Sequence, residues 1–295
     1  MAKQKHSRIR QLLLGDFTVK RLVRSLLFIY LFFMAYVFVT ADRMIFLPPQ
    51  SSYTDTPEII KVIEPSSSQA ISATYLPALL PSTADGDSRP EPLAPVPYTI
   101  LYSHGNAEDL GLIRPVLHML QDAGLSVFAY DYPGYGTSEG TATERSAYRA
   151  IAAVYTYLTD TLQVPADHII VYGRSVGGGP STYLAARNGE AIAGLILEST
   201  FTSAFRTVIP FPILPFDKFP NARNLQQFQG PTLIMHGTDD QIITFDHGKT
   251  LFEIAHGEKQ FFPVEGAGHN DLVWVAGDRY LEVVQSFVQR LKTDR

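Results

Sequence analysis

A serine flanked by glycine two residues to either side stands in Gly173-Arg174-Ser175-Val176-Gly177, directly after the apolar run His168 to Tyr172. A strand-to-helix passage of this kind exposes the serine hydroxyl on a tight, strained turn, and only small residues at the flanking positions let the neighbouring chain pass close by. The helix expected to begin near Gly177 turns unsatisfied N–H groups toward the same place, which suits a developing oxyanion. A serine is a feeble nucleophile without a base, and the base needs an acid to orient it. Two later turns carry those groups. Gly237-Thr238-Asp239-Asp240 follows the run Thr232 to His236, and Gly266-Ala267-Gly268-His269-Asn270-Asp271 follows the run Gln260 to Val264. His269 is the expected base. His236 lies in a strand, His247 and His256 fall on a predicted helix, and His6, His118 and His168 follow no strand end.

These turns need a frame that brings their tips together. Six apolar runs are strand-like in length and content: Tyr98 to Ser103, Ser126 to Asp131, His168 to Tyr172, Gly194 to Leu197, Thr232 to His236 and Gln260 to Val264. Helical stretches lie between most of them, such as Glu144 to Leu162, where Ala147, Ile151, Val154, Tyr155 and Leu158 recur at helical spacing. Strand alternating with helix predicts an α/β fold, a mostly parallel central sheet with helices on both faces. In such a sheet the loops at the carboxyl ends of the strands build the site. Upstream, Ile59 to Ile63 and Ala70 to Leu76 read as an edge hairpin closed by Pro65 to Ser68, within a Pro-rich stretch 42–97 whose loose part is Ser82 to Pro95. Residues 98–295 form the expected catalytic region.

Leu26 to Ala41 contain no charge over sixteen positions, and Lys3, Lys5, Arg8, Arg10, Lys20, Arg21 and Arg24 precede them. A membrane span over 25–41 is expected, lengthened toward about 20 residues by Leu22, Val23 and a snorkelling Arg24. The basic tail 1–24 is then cytoplasmic and the catalytic region lies across the membrane. A signal peptide cut after Ala41, giving a secreted enzyme, is the alternative. The net charge of −5 argues against a nucleic-acid partner, since the only dense basic run is the one before the apolar segment. The chain has no cysteine, which removes disulfides, thiolate metal sites, a Cys nucleophile and thioacyl anchors. No cofactor and no metal are expected.

The motifs taken together resemble the Bem46-like branch of the α/β-hydrolases, the type of α/β-hydrolase domain-containing protein 17, over roughly Arg43 to Leu291. The likeness rests on Phe46-Leu47-Pro48-Pro49, Ser103-His104-Gly105-Asn106-Ala107, Asp109-Leu110-Gly111, Asp131-Tyr132-Pro133-Gly134-Tyr135-Gly136 and Phe216-Asp217-Lys218-Phe219-Pro220-Asn221, with the serine, aspartate and histidine turns above. It implies the α/β-hydrolase fold with the chain order serine, acid, histidine. By that pattern Ser175 is the nucleophile, Asp240 rather than Asp239 the acid, and His269 the base. The backbone N–H groups of Asn106 and Val176 form the oxyanion hole. His104, which precedes the serine, and Asp131, in a glycine-rich turn, are expected to be structural. The best-known relatives remove acyl groups from S-palmitoylated proteins and attach to membranes through a cysteine-rich, lipidated N-terminus. This chain departs from them there, having an apolar segment and no cysteine.

The expected activity is hydrolysis of carboxylic esters or thioesters of small-molecule or lipid-like acyl substrates through an acyl-serine. A serine aminopeptidase and a non-catalytic binding protein on the same fold are the alternatives. A short lid is expected near 199–221, too rich in proline to be a regular helix. Within it Phe201, Phe205, Phe211 and Ile213 are the expected walls of an apolar groove beside Ser175, while Phe216 and Phe219 are expected to cap the core.

Overall fold

The computed structural model describes residues 18–79, 97–189, 191–209 and 211–293. The distal basic residues Lys3 to Arg10, the stretch Ser82 to Pro95 and Pro210 lie outside them. The chain divides into two units, Met1–Ala41 and Asp42–Arg295.

The first unit is dominated by α1, which begins at Val19 and runs to Ile45. Its 27 residues span about 40 Å at 1.5 Å each, more than the ~30 Å hydrocarbon core of a bilayer. The helix is therefore longer than the apolar run at both ends, because the polar flanks keep helical geometry. It is long and apolar enough to cross a membrane, a property that a signal sequence near an N-terminus can share.

The second unit is built on one eight-stranded sheet in the order β1-β2-β4-β3-β5-β6-β7-β8. The strands are β1 (Ile60–Ile63), β2 (Ala70–Leu76), β3 (Thr99–Ser103), β4 (Ser126–Tyr130), β5 (Ile169–Arg174), β6 (Gly194–Glu198), β7 (Thr232–Gly237) and β8 (Lys259–Val264). β1 and β2 are antiparallel to each other, and β2 is antiparallel to β4, so the hairpin extends one edge. All other pairs are parallel. Every residue of β3, β4, β5, β6 and β7 is buried, as expected of parallel strands covered on both faces.

Side chains alternate between two cores with the period of two that a pleated strand imposes. Leu101, Phe128, Tyr130, Val171 and Leu197 enter one core with residues of α3 (Glu144–Thr156), α4 (Gly178–Asn188) and α6 (Phe245–Ile254). Ile100, Tyr102, Val127, Tyr172 and Met235 enter the other with α2 (Arg114–Asp122) and α8 (Asp278–Thr293). The short helices α5 (Asn221–Leu225) and α7 (Leu272–Ala276) complete the set. The helix expected over Glu144 to Leu162 instead gives way at Tyr157 to one π-helical turn, Tyr157–Thr161. β5 extends two residues beyond its expected end and so delivers the chain straight to Ser175. His168 sits before it in a 3₁₀ turn. Connections leave β3 in one direction and β5 in the other, which opens the crevice between their carboxyl ends.

Candidate active site

Ser175 opens a 3₁₀ turn, Ser175–Gly177, that leads directly into α4. Its φ of 52° is left-handed, a strained conformation for a residue bearing a Cβ. Packing holds it there. A Cβ on Gly173 would lie 2.6 Å from the Gly177 carbonyl oxygen, and one on Gly177 would collide with the carbonyl of Ser103, so neither position has room for a side chain. The Thr200 hydroxyl donates to the Ser175 carbonyl at 2.7 Å, which pins the turn from the β6 side.

The three side chains singled out in the sequence meet. Asp240 Oδ2 lies 2.7 Å from His269 Nδ1, and His269 Nε2 lies 2.9 Å from Ser175 Oγ. An ionised carboxylate only accepts, so the Nδ1 proton points at Asp240 and Nε2 is left to accept from the serine hydroxyl. Asp240 is buried, and burial alone would raise its pKa. Hydrogen bonds from His236, His269 and the Ile243 N–H outweigh that and hold its carboxyl well below the usual range. Its Oδ1 accepts from the N–H groups of Ile242 and Ile243, at 2.9 and 2.8 Å. Asp239 is exposed and, among the described residues, its side chain accepts only from the Thr238 hydroxyl, at 3.2 Å, so the tight turn separates two adjacent aspartates into different environments. The acid and histidine loops are also joined by the bonds Thr238 N–H to Val264 and Asp239 N–H to Ala267, each 3.0 Å.

The loop after β3 approaches from the other side. His104 and Asp131 are fully buried, and their roles there are internal. His104 Nδ1 is 2.8 Å from the Gly105 carbonyl, and Asp131 accepts from the Leu110 N–H at 3.0 Å and from the Tyr53 hydroxyl. The side-chain oxygen of Asn106 accepts from Leu47 N–H at 2.9 Å and from the Tyr135 hydroxyl at 2.7 Å. That fixes the loop, and among the described residues no acceptor is found for the Asn106 backbone N–H. His256 lies just past the end of α6 rather than on it.

The expected groove needs correcting. Phe201 is 5% exposed and belongs to the core, and it is not among the residues that line the groove of Phe205, Phe211 and Ile213. Its neighbour Asn221, whose amide donates to the Phe201 carbonyl at 3.0 Å, ties that part of the segment down. Phe205, Phe211 and Ile213 do line an open groove of about 230 Å³ with Ile209, Pro215 and Phe216, but Ser175 is not part of its wall. Phe219 is fully buried, whereas Phe216 is only partly so. Among the described residues no cluster of three or more His, Cys, Asp or Glu side chains could hold a metal ion.

Sequence reasoning passed over two groups that the structure brings to the site. His236 Nε2 lies 2.7 Å from the Ile243 carbonyl and 3.5 Å from Asp240 Oδ2, bracing the acid from within the sheet. Arg174, inside the serine motif, is buried with Glu108 and Glu198 around it. A charged residue inside an otherwise apolar strand end was the available signal.

Residues 98–224 match the family model of the α/β hydrolase fold. Human α/β hydrolase domain-containing protein 17B is 39% identical over 196 residues, covering 65% of this chain and 67% of that protein. The Caenorhabditis elegans α/β hydrolase domain-containing protein aho-3 is 40% identical over 200 residues, covering 67% of this chain and 59% of that protein. The chain thus spans about three fifths to two thirds of the length of these relatives. Among solved structures, an esterase from Pyrococcus furiosus superposes with a TM-score of 0.63 at 16% identity, covering 82% of this chain and 98% of that one. A Paleococcus ferrophilus monoacylglycerol lipase gives 0.55 at 16% identity, over 74% and 98%. At that identity the two structures speak for the fold alone.

Proposed function

Because the chain belongs to the α/β-hydrolase family, we propose that it is a membrane-anchored serine hydrolase that cleaves carboxylic ester or thioester bonds of acyl substrates through an acyl-serine intermediate. The observation that carries this reading is the continuous path Asp240–His269–Ser175, with links of 2.7 and 2.9 Å ending on a strained serine. Ser175 Oγ attacks the acyl carbonyl while His269 Nε2 takes its proton. The N–H groups of Asn106 and Val176 stabilise the oxyanion. Collapse of the tetrahedral intermediate breaks the C–O or C–S bond, and His269 returns the proton to the leaving alcohol or thiol. Water, activated by the same histidine, then releases the acid and restores Ser175. Asp240 holds the imidazole in the required tautomer throughout.

The groove of Phe205, Phe211 and Ile213 takes the acyl chain in this reading, with Phe201 left out of it. Each buried methylene contributes about 0.8 kcal/mol, so four further carbons are expected to raise kcat/KM by up to about 200-fold. Rates on p-nitrophenyl esters from acetate to dodecanoate, set beside peptide amides, test both the reaction and the groove. Phe211→Ala is expected to lower kcat/KM several-fold on dodecanoate and leave acetate unchanged. Faster cleavage of peptide amides than of any ester would replace the reading with a peptidase. A profile that peaks at acetate and ignores Phe211→Ala would remove the groove.

We place the anchor in α1, with Lys20, Arg21 and Arg24 on the cytoplasmic side and the catalytic unit on the other, because basic residues crowd only the N-terminal flank. A reporter fused after Arg295 is expected to be shielded from the cytoplasm. The mass of the mature N-terminus is expected to show the apolar segment retained, and a new terminus at Asp42 would instead show a cleaved signal peptide.

A further inference from the structure

Arg174 sits between Gly173 and Ser175, yet its side chain turns away from the serine and into a cluster that the proposed reaction steps do not use. Its Nη1 meets Glu108 Oε1 at 2.5 Å, its Nε meets Glu198 Oε1 at 3.2 Å, and its Nη2 donates to the His269 carbonyl at 3.1 Å and to Asn270 Oδ1 at 3.2 Å. One guanidinium therefore contacts three separate segments, the loop after β3, the end of β6 and the loop that carries the histidine.

The two ends of this cluster stand on different kinds of element. Glu198 is fully buried in the sheet, and its second oxygen accepts from the Tyr172 hydroxyl, which in turn lies 2.8 Å from the Tyr280 hydroxyl. That side is anchored to β5, β6 and α8. Glu108 and Asn270 stand on loops. The second oxygen of Glu108 accepts the Gly105 N–H at 2.7 Å, one peptide before the Asn106 N–H. Burial would lower the pKa of Arg174, but Glu108 and Glu198 outweigh it and keep the guanidinium charged. A planar fork with five donors can hold all these acceptors at once, and a lysine ammonium cannot.

We infer that Arg174 is a positioning residue that carries the order of the sheet into both loops, setting the Asn106 N–H through Glu108 and the His269 backbone directly. The inference rests on the serine-hydrolase reading, since it assigns the work of Asn106 and His269. Its consequence is specific. Loosening the fork misplaces the oxyanion donor and the base relative to Ser175 but leaves the acyl groove alone, so the loss falls on transition-state stabilisation and not on substrate binding.

The test uses the full chain with Arg174→Lys and Glu108→Gln, singly and combined, after thermal melts show each to be folded. Arg174→Lys is expected to lower kcat on a p-nitrophenyl ester by about 10- to 100-fold with KM within about 3-fold. Its affinity for a trifluoromethyl ketone, which forms a tetrahedral adduct, is expected to fall by the same factor. Because both residues act on the Gly105–Asn106 peptide, the double variant is expected to be scarcely worse than Arg174→Lys alone. Unchanged kcat, a change in KM only, undiminished ketone binding, or fully additive effects of the two substitutions would each overturn the inference. If Arg174→Lys does not fold, Glu108→Gln is read by the same kcat, KM and ketone criteria. Wild-type protein that turns over no ester would sink the hydrolase reading first and this inference with it, whereas an active wild type beside a fully active Arg174→Lys would sink this inference alone.

Discussion

Ser175→Ala is expected to leave a folded protein whose ester turnover is lower by roughly 10³-fold or more. The fold is expected to survive because the change deletes one oxygen at a site where backbone geometry, not the side chain, is crowded. Gly173 and Gly177 make room for the turn, and the Thr200 hydroxyl still reaches the carbonyl of residue 175. The chemistry does not survive because, among the described residues, no other hydroxyl is held against His269 Nε2. His269→Ala is expected to give a loss of the same order, and the two together little more, since a nucleophile without its base and a base without its nucleophile are equally idle. Initial rates on a chromogenic ester, with melting temperatures as the control for folding, measure this. Additive losses in the double variant would mean that the two side chains do not act as a unit.

Asp240→Asn is expected to cost up to about 10⁴-fold in kcat, with Asp239→Asn nearly silent. The hydrogen bonds around Asp240 explain the size. Oδ1 is claimed by two backbone N–H groups, from Ile242 and Ile243, so an asparagine must keep its oxygen there and turn its NH₂ toward His269. Facing a donor, Nδ1 has to accept, and the imidazole proton moves to Nε2, where it confronts the serine hydroxyl and blocks proton uptake. The substituted protein would look intact and hold the wrong tautomer. Asp239 is exposed and, among the described residues, its side chain forms no hydrogen bond to His269 or Ser175, so its replacement changes little. The reverse pattern, with Asp239 indispensable and Asp240 dispensable, would put the acid one residue earlier.

Much of this site could be read from residue types and spacing, for reasons visible in the structure. Parallel strands covered on both faces are nearly continuous apolar runs, so β3 to β7 stood out, and Ser175 and Asp240 follow two of them, β5 and β7, while His269 follows the less buried edge strand β8. The glycines around Ser175 are a steric necessity and therefore leave a mark in the sequence. The choice between Asp239 and Asp240 is different, because two identical side chains one residue apart are distinguished only by how the turn buries one of them. Phe201 misled for a related reason. An apolar side chain in an irregular segment has the same composition whether it faces a groove or the core, and Phe201 packs into the core. The Arg174 cluster escaped because its partners Glu108, Glu198 and Asn270 lie 66, 24 and 96 residues away along the chain, beyond any local pattern.

The central claim is that Ser175 is a nucleophile activated by His269. Treating the folded protein with a fluorophosphonate and mapping the modified peptide by mass spectrometry tests it most directly. The result expected is one phosphonylated residue, Ser175, formed rapidly in the wild type and slowed by several orders of magnitude in His269→Ala. An unlabelled Ser175 in folded wild-type protein, or labelling that proceeds at the same rate without His269, would contradict it.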